Sequence, residues 1–188
     1  DTIKKNIFGI FNEIHNRKTN EQYLARCSEF PFELFSENDI TNLTEELSVI
    51  SQLNHPSIVK FIGYNSTGFE SEPGPTIITE FYHCKTLNFF FKKGKVLPIW
   101  DETHKLIFIY GIASAMSYLH AHNILHRDLK PKNIFIDELF FPKITGFHLC
   151  KELPSDTDHL ICKEIKGTPI YLSPEVYKNK KYSKANDV

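Results

Sequence analysis

Apolar residues recur along the chain with two periods. Through residue 30 they alternate, as in half-buried strands: Ile7 to Ile14 and Glu21 to Cys27 flank the polar turn His15-Asn16-Arg17-Lys18-Thr19-Asn20. Ile40, Leu43, Leu47, Ile50 and Leu53 then follow at spacings of three and four, one face of a helix, which Asn54-His55-Pro56 ends. Two β-rich segments come next, Ile58 to Tyr64 and Thr76 to Tyr82, joined by a loop containing Gly68, Pro73, Gly74 and Pro75. The spacing predicts a long helix over Asp101 to His120, with Asp101 as N-cap and Leu106, Ile109, Ala113 and Met116 on its buried side. Ile134-Phe135-Ile136 and Lys143-Ile144-Thr145 predict short strands around a turn. Strands, one helix, more strands and a helix-led second half make an α+β pattern rather than a repeating βαβ one.

Composition narrows the class. A hydrophobic content of 41% suffices for a core, so the chain is no disordered tail. Lys plus Arg (22) nearly balances Asp plus Glu (23), which argues against a nucleic-acid partner held by net charge. Cys27, Cys84, Cys150 and Cys162 form no metal-type spacing and read as free thiols of a reducing, cytoplasmic compartment. No apolar run is long enough for a membrane span. The start, Asp1-Thr2-Ile3-Lys4-Lys5, resembles neither a signal peptide nor a natural beginning, so a fragment is expected.

The chemistry-bearing run is His126-Arg127-Asp128-Leu129-Lys130-Pro131-Lys132-Asn133. It resembles the catalytic loop of eukaryotic protein kinases. Neighbours agree in order: Asn54-His55-Pro56-Ser57-Ile58-Val59 resembles the turn after helix C, and Thr79-Glu80-Phe81-Tyr82 a gatekeeper and hinge. Gly167-Thr168-Pro169-Ile170-Tyr171-Leu172-Ser173-Pro174-Glu175 resembles the end of an activation segment. The resemblance implies a bilobal α+β fold over residues 1–188: a small β-rich lobe with helix C and the hinge start over 1–82, and a partial helical lobe over 83–188 ending at the start of helix F. It implies Asp128 as the base that orients a substrate hydroxyl, Lys130 as the neutraliser of phosphoryl charge, and Asn133 as a Mg²⁺ ligand. Lys130 with Gly167-Thr168-Pro169 is the serine/threonine pattern. For ATP the resemblance implies Gly9, Arg26 and Glu46, with adenine at the backbone of Glu80 and Tyr82.

Three departures weaken that inheritance. Where the family carries Asp-Phe-Gly, this chain has Gly146-Phe147-His148, and magnesium prefers carboxylate oxygen to an absent side chain or an imidazole. Arg26 stands at the phosphate-anchoring lysine, opposite its expected partner Glu46, and arginine does not replace lysine at a shaped site. Lys4 and Asn6 occupy the first two glycine positions of the phosphate loop, and only Gly9 survives. The expectation is a pseudokinase that acts through weak ATP binding, largely indifferent to Mg²⁺, or through a protein partner. The rivals are an active kinase using Asp128 as base, and a truncated product without function.

Other residues carry lesser expectations. His120, His122 and His126 lack the companions of a zinc site and read as structural. Phe89-Phe90-Phe91 reads as packing beside the hinge. Ser155 and Thr157 lie in the activation segment, where a phosphate could pair with Arg127, while Thr168 is expected to face Asp128. Asp187 is expected to anchor the catalytic loop, and Glu175 to find no partner within the chain.

Overall fold

The computed structural model describes residues 2–6, 9–69, 73–83, 85–93 and 101–188, without the side chains of Thr2, Lys4, Asn6, Lys92 and Lys93. Ile7, Cys84 and the side chains of Lys4 and Asn6, all singled out above, therefore lie outside the description. Contacts divide the chain into two compact units, residues 1–44 with 59–81, and residues 45–58 with 82–188.

The first unit is an antiparallel five-stranded sheet of β1 (Thr2–Asn6), β2 (Gly9–His15), β3 (Gln22–Cys27), β4 (Phe61–Asn65) and β5 (Thr76–Glu80), in the order β1-β2-β3-β5-β4. Alternation puts Ala25 and Cys27 of β3 inside, with Thr76 and Ile77 of β5 also buried. The β4 strand starts three residues later than its apolar pattern suggests, because Ile58 instead bridges Ile144 in the second unit.

Helix α1 (Glu37–Ile50) begins where Ser36 and Asp39 exchange hydrogen bonds. The Ser36 N–H donates to Asp39 Oδ2 at 3.1 Å, and the Asp39 N–H to Ser36 Oγ at 3.2 Å. Its buried residues are Glu46, Val49 and Ile50, whereas Ile40 is exposed. Leu43 and Leu47 are half-buried and Ile50 is buried, so the expected stripe holds beyond its first turn, with Glu46 and Val49 buried beside it.

The second unit is built on α2 (Leu87–Lys93) and α3 (Glu102–Ala121). Asp101 caps α3 as expected, accepting the His104 N–H at 2.9 Å. The buried side of α3 is Phe108, Gly111, Ala115, Met116 and Leu119, which corrects the sequence expectation: Leu106 and Ile109 are exposed. The helix carries apolar residues on both sides, so periodicity could not choose. Close packing chose instead, since a β-carbon on Gly111 would come within 2.6 Å of Pro142. Leu87, Phe108, Ile134 and Ile136 form one core cluster, with Phe90 packed against it, while Phe91 is exposed.

Short antiparallel pairs carry the rest: β6 (Ile124–Leu125) with β9 (Lys151–Glu152), β7 (Ile134–Ile136) with β8 (Pro142–Ile144), and β10 (His159–Ile161) with β11 (Lys181–Ser183). Helix α4 (Pro174–Asn179) precedes β11. Leu125, Leu153, Val176 and Tyr182 form a second core cluster beneath these pairs. Among the described residues no helix is long and apolar enough to cross a membrane.

Candidate active site

The loop from His126 to Asn133 leaves β6 and enters β7 through a one-turn 3-10 helix at Pro131–Asn133. Its start is held by Asp187, which is buried. Asp187 Oδ2 accepts the His126 N–H at 2.7 Å, and Oδ1 accepts the Arg127 N–H at 2.8 Å. Those two bonds fix a backbone turn in which Arg127 has φ +61°, an unfavoured conformation for a side-chain-bearing residue. His126 is fully buried beneath the loop. Its Nδ1 lies 3.2 Å from the Asp128 N–H and its Nε2 2.9 Å from Thr145 O. An N–H facing Nδ1 and a carbonyl facing Nε2 suit the neutral ring protonated on Nε2, and burial lowers the His126 pKa accordingly.

Asp128 is buried and surrounded by donors. Lys130 Nζ donates to Oδ2 at 2.6 Å, Asn133 Nδ2 to the same oxygen at 2.9 Å, and Thr168 Oγ1 to Oδ1 at 2.6 Å. Lys130 Nζ also donates to Thr168 Oγ1 at 2.6 Å, closing a triangle. Burial pushes the Asp128 pKa up. Hydrogen bonds from Lys130, Thr168 and Asn133, with the lysine's charge, outweigh it and hold the carboxyl below its usual range. Lys130 and Asn133 of the same loop and Thr168, 40 positions further on, thus converge on the Asp128 carboxylate.

A family model described as the protein kinase domain matches residues 7–188. The chain belongs to the protein kinase domain family. It is 31% identical to serine/threonine-protein kinase 36 of Pongo abelii over 153 residues, 81% of this chain and 11% of that protein. It is 36% identical to cysteine-rich receptor-like protein kinase 25 of Arabidopsis thaliana over 149 residues, 76% of this chain and 21% of that one. Identity to serine/threonine-protein kinase CTR1 of the same plant is 31% over 156 residues, 82% of this chain and 18% of that one. The chain therefore spans about a tenth to a fifth of the length of these relatives. It is a serine/threonine protein-kinase-like domain.

Against that family pattern the Gly146 region stands out. Gly146 is left-handed, with φ +87° and ψ 38°. A β-carbon there would stand 2.6 Å from Cγ and Nδ2 of Asn133. The Asn133 amide is held in that place by donating to Asp128 O at 2.8 Å as well as to the carboxylate. His148, two residues on, brings Nε2 to 3.7 Å from Asp128 Oδ2. Gly146 therefore brings no carboxylate to this place; the described side-chain oxygens beside it are those of Asn133 and of Asp128, whose carboxylate already takes hydrogen bonds from Lys130, Asn133 and Thr168. The residues present do not fit a carboxylate-bound divalent ion.

The nucleotide candidates fall in different places. In the first unit, Gly9 has φ +125°, and a β-carbon there would collide with the carbonyl oxygen of Cys27, so this position needs glycine. Arg26 pairs with Phe11 across β2 and β3. The Glu80 N–H donates to Lys60 O at 3.0 Å and is not available to a base. In the second unit, Glu46 is buried on α1 and Tyr82 has the Lys143 ammonium 5.4 Å from its ring centre. Burial, reinforced by the charge of Glu46, pushes the Cys150 thiol up to about 12.

In the activation segment Ser155 and Thr157 are exposed and line an open hollow of about 470 Å³ with Asp156, Asp158, Ser183 and Lys184. Arg127 lines a different hollow, of about 190 Å³, that shares none of those residues. Glu175 corrects its expectation: Asn186 Nδ2 donates to its Oε1 at 2.7 Å, since the chain after β11 turns back over α4. Sequence reasoning missed Tyr182 and named Cys162 only as a free thiol; their contacts with Lys166 and Arg127 span 16 and 35 positions and leave no periodic or motif signal.

Proposed function

We propose that this domain is a catalytically impaired kinase-like domain, a pseudokinase of serine/threonine type acting in cytoplasmic signalling through weak nucleotide binding or a protein partner. The observation that carries the reading is Gly146, left-handed and packed against the Asn133 amide where a metal-binding carboxylate is expected. Losing one preorganised electrostatic contact typically costs on the order of 10²–10³ in rate. Arg26 at the lysine position adds a second loss, for about 10⁴–10⁶ together if the two are independent. Adenine recognition needs only backbone groups near Glu80 and Tyr82, so ATP binding is weak and indifferent to Mg²⁺. A thermal-shift titration with ATP, with and without Mg²⁺, tests this. The reading expects a small shift that the ion does not change, and a strong Mg²⁺-dependent stabilisation would overturn it.

One observation favours an active kinase. Asp128 keeps Lys130, Thr168 and Asn133 around a buried, ionised carboxylate poised to accept a hydroxyl proton. In that reading Asp128→Ala abolishes whatever transfer is measured.

A further inference from the structure

The guanidinium of Arg127 is already committed. Its Nε donates to Leu149 O at 2.6 Å, its NH1 reaches Cys162 Sγ at 3.4 Å, and its Cζ lies 5.3 Å from the ring centre of Tyr182. These partners come from the start of the activation segment, its middle, and the strand that follows α4. Tyr182 is 1% exposed. Its hydroxyl accepts the Lys166 N–H at 2.6 Å and donates to Lys166 O at 2.7 Å, so one side chain pins both polar groups of one peptide residue. Two residues on, Thr168 donates to Asp128. The β10–β11 pairing sets Leu160 opposite Tyr182, and the Cys162 N–H donates to Lys180 O at 3.0 Å. The segment is thus tied down on both sides of Arg127 by ring, thiol and backbone.

We propose that Arg127, Tyr182 and Cys162 form a phosphate-free latch that holds the activation segment on the catalytic loop, so that its order does not wait on phosphorylation of Ser155 or Thr157. A phosphate pairs with arginine through charge-assisted hydrogen bonds and orders a loop by bridging it to that arginine. Here a backbone carbonyl, a thiol and a tyrosine ring make the bridge to the arginine. The hydroxyls that could carry a phosphate sit over a separate hollow, between Asp156 and Asp158, where the lining cation is Lys184 and not Arg127. The latch is independent of the proposed impairment, because none of its members belongs to the metal or nucleotide region.

Amide exchange at Lys166, measured by NMR on the full chain, tests the latch directly. Phosphatase-treated wild-type protein should already protect this amide, and phosphorylation at Ser155 or Thr157 should leave its rate unchanged. The Ser155→Ala/Thr157→Ala double variant should behave identically. Tyr182→Phe keeps the ring under Arg127 but loses both bonds to Lys166. It should speed exchange at Lys166 about tenfold or more, while the Ile136 amide, which donates to Lys85 O far from the latch, keeps its rate. An unprotected Lys166 amide that becomes protected only on phosphorylation would overturn the proposal. So would Tyr182→Phe with unchanged exchange at Lys166. If that variant does not fold, the phosphatase comparison on wild-type protein decides alone.

Discussion

The side-chain amide of Asn133 occupies the space beside Gly146 where a β-carbon would stand, at 2.6 Å from the ideal position. Because that amide also donates to the backbone and carboxylate of Asp128, any side chain at position 146 must disturb the catalytic loop.

Gly146→Ala should therefore destabilise the domain twice over. A left-handed residue with a β-carbon costs roughly 1–2 kcal/mol, and shifting Asn133 weakens its hydrogen bonds at about 1 kcal/mol more. A thermal melt should show a fall of roughly 4–12 °C, using about 2–4 °C per kcal/mol for a domain of this size. Gly146→Asp should show a similar fall without ligand but make ATP stabilisation Mg²⁺-dependent, which Arg26→Lys alone should not do. A Gly146→Ala protein as stable as wild type would show that Asn133 yields freely.

Stability should fall with mild acid. Burial lowers the pKa of His126, and of His55 beside Ser114, below the ordinary 6.5. A depressed histidine pKa means that the unfolded chain binds more protons as pH drops below 6.5, so stability declines from there to the folded pKa. Asp128 adds nothing in that window. Its lowered pKa gives stability that is present above 3.8 and lost only as pH falls through the folded value. Melts at about pH 7.5 and 5.5 should thus differ, and His126→Asn should shrink the difference. An equal slope in the variant would assign the effect to other groups.

How far sequence reached depended on whether a feature was contiguous. His126 to Asn133 could be placed because His126, Arg127, Asp128, Leu129 and Asn133 match the specified positions of one contiguous motif, and the strand pair at Ile134–Ile136 and Pro142–Ile144 follows from its short apolar runs. Asp101 marked the start of α3, but the burial of Phe108 rather than Leu106 was decided by the fit of Gly111 against Pro142. Glu46 was named for its chemistry, yet its place among the buried residues of α1 contradicts apolar periodicity. Tyr182, Cys162 and the Glu175–Asn186 contact depend on how the chain after α4 folds back, which no local pattern encodes.

In the proposed pseudokinase, the Asn133–Gly146 arrangement leaves phosphotransfer impaired while the Asp128 network survives. A radiolabelled γ-phosphate transfer assay on the full chain, with Asp128→Ala as control, measures this most directly. Ordinary kinases turn over at roughly 1–100 per second, and the loss of two electrostatic contacts predicts a rate about 10⁴-fold or more below that range. A turnover within about tenfold of that range, abolished by Asp128→Ala, would contradict the account.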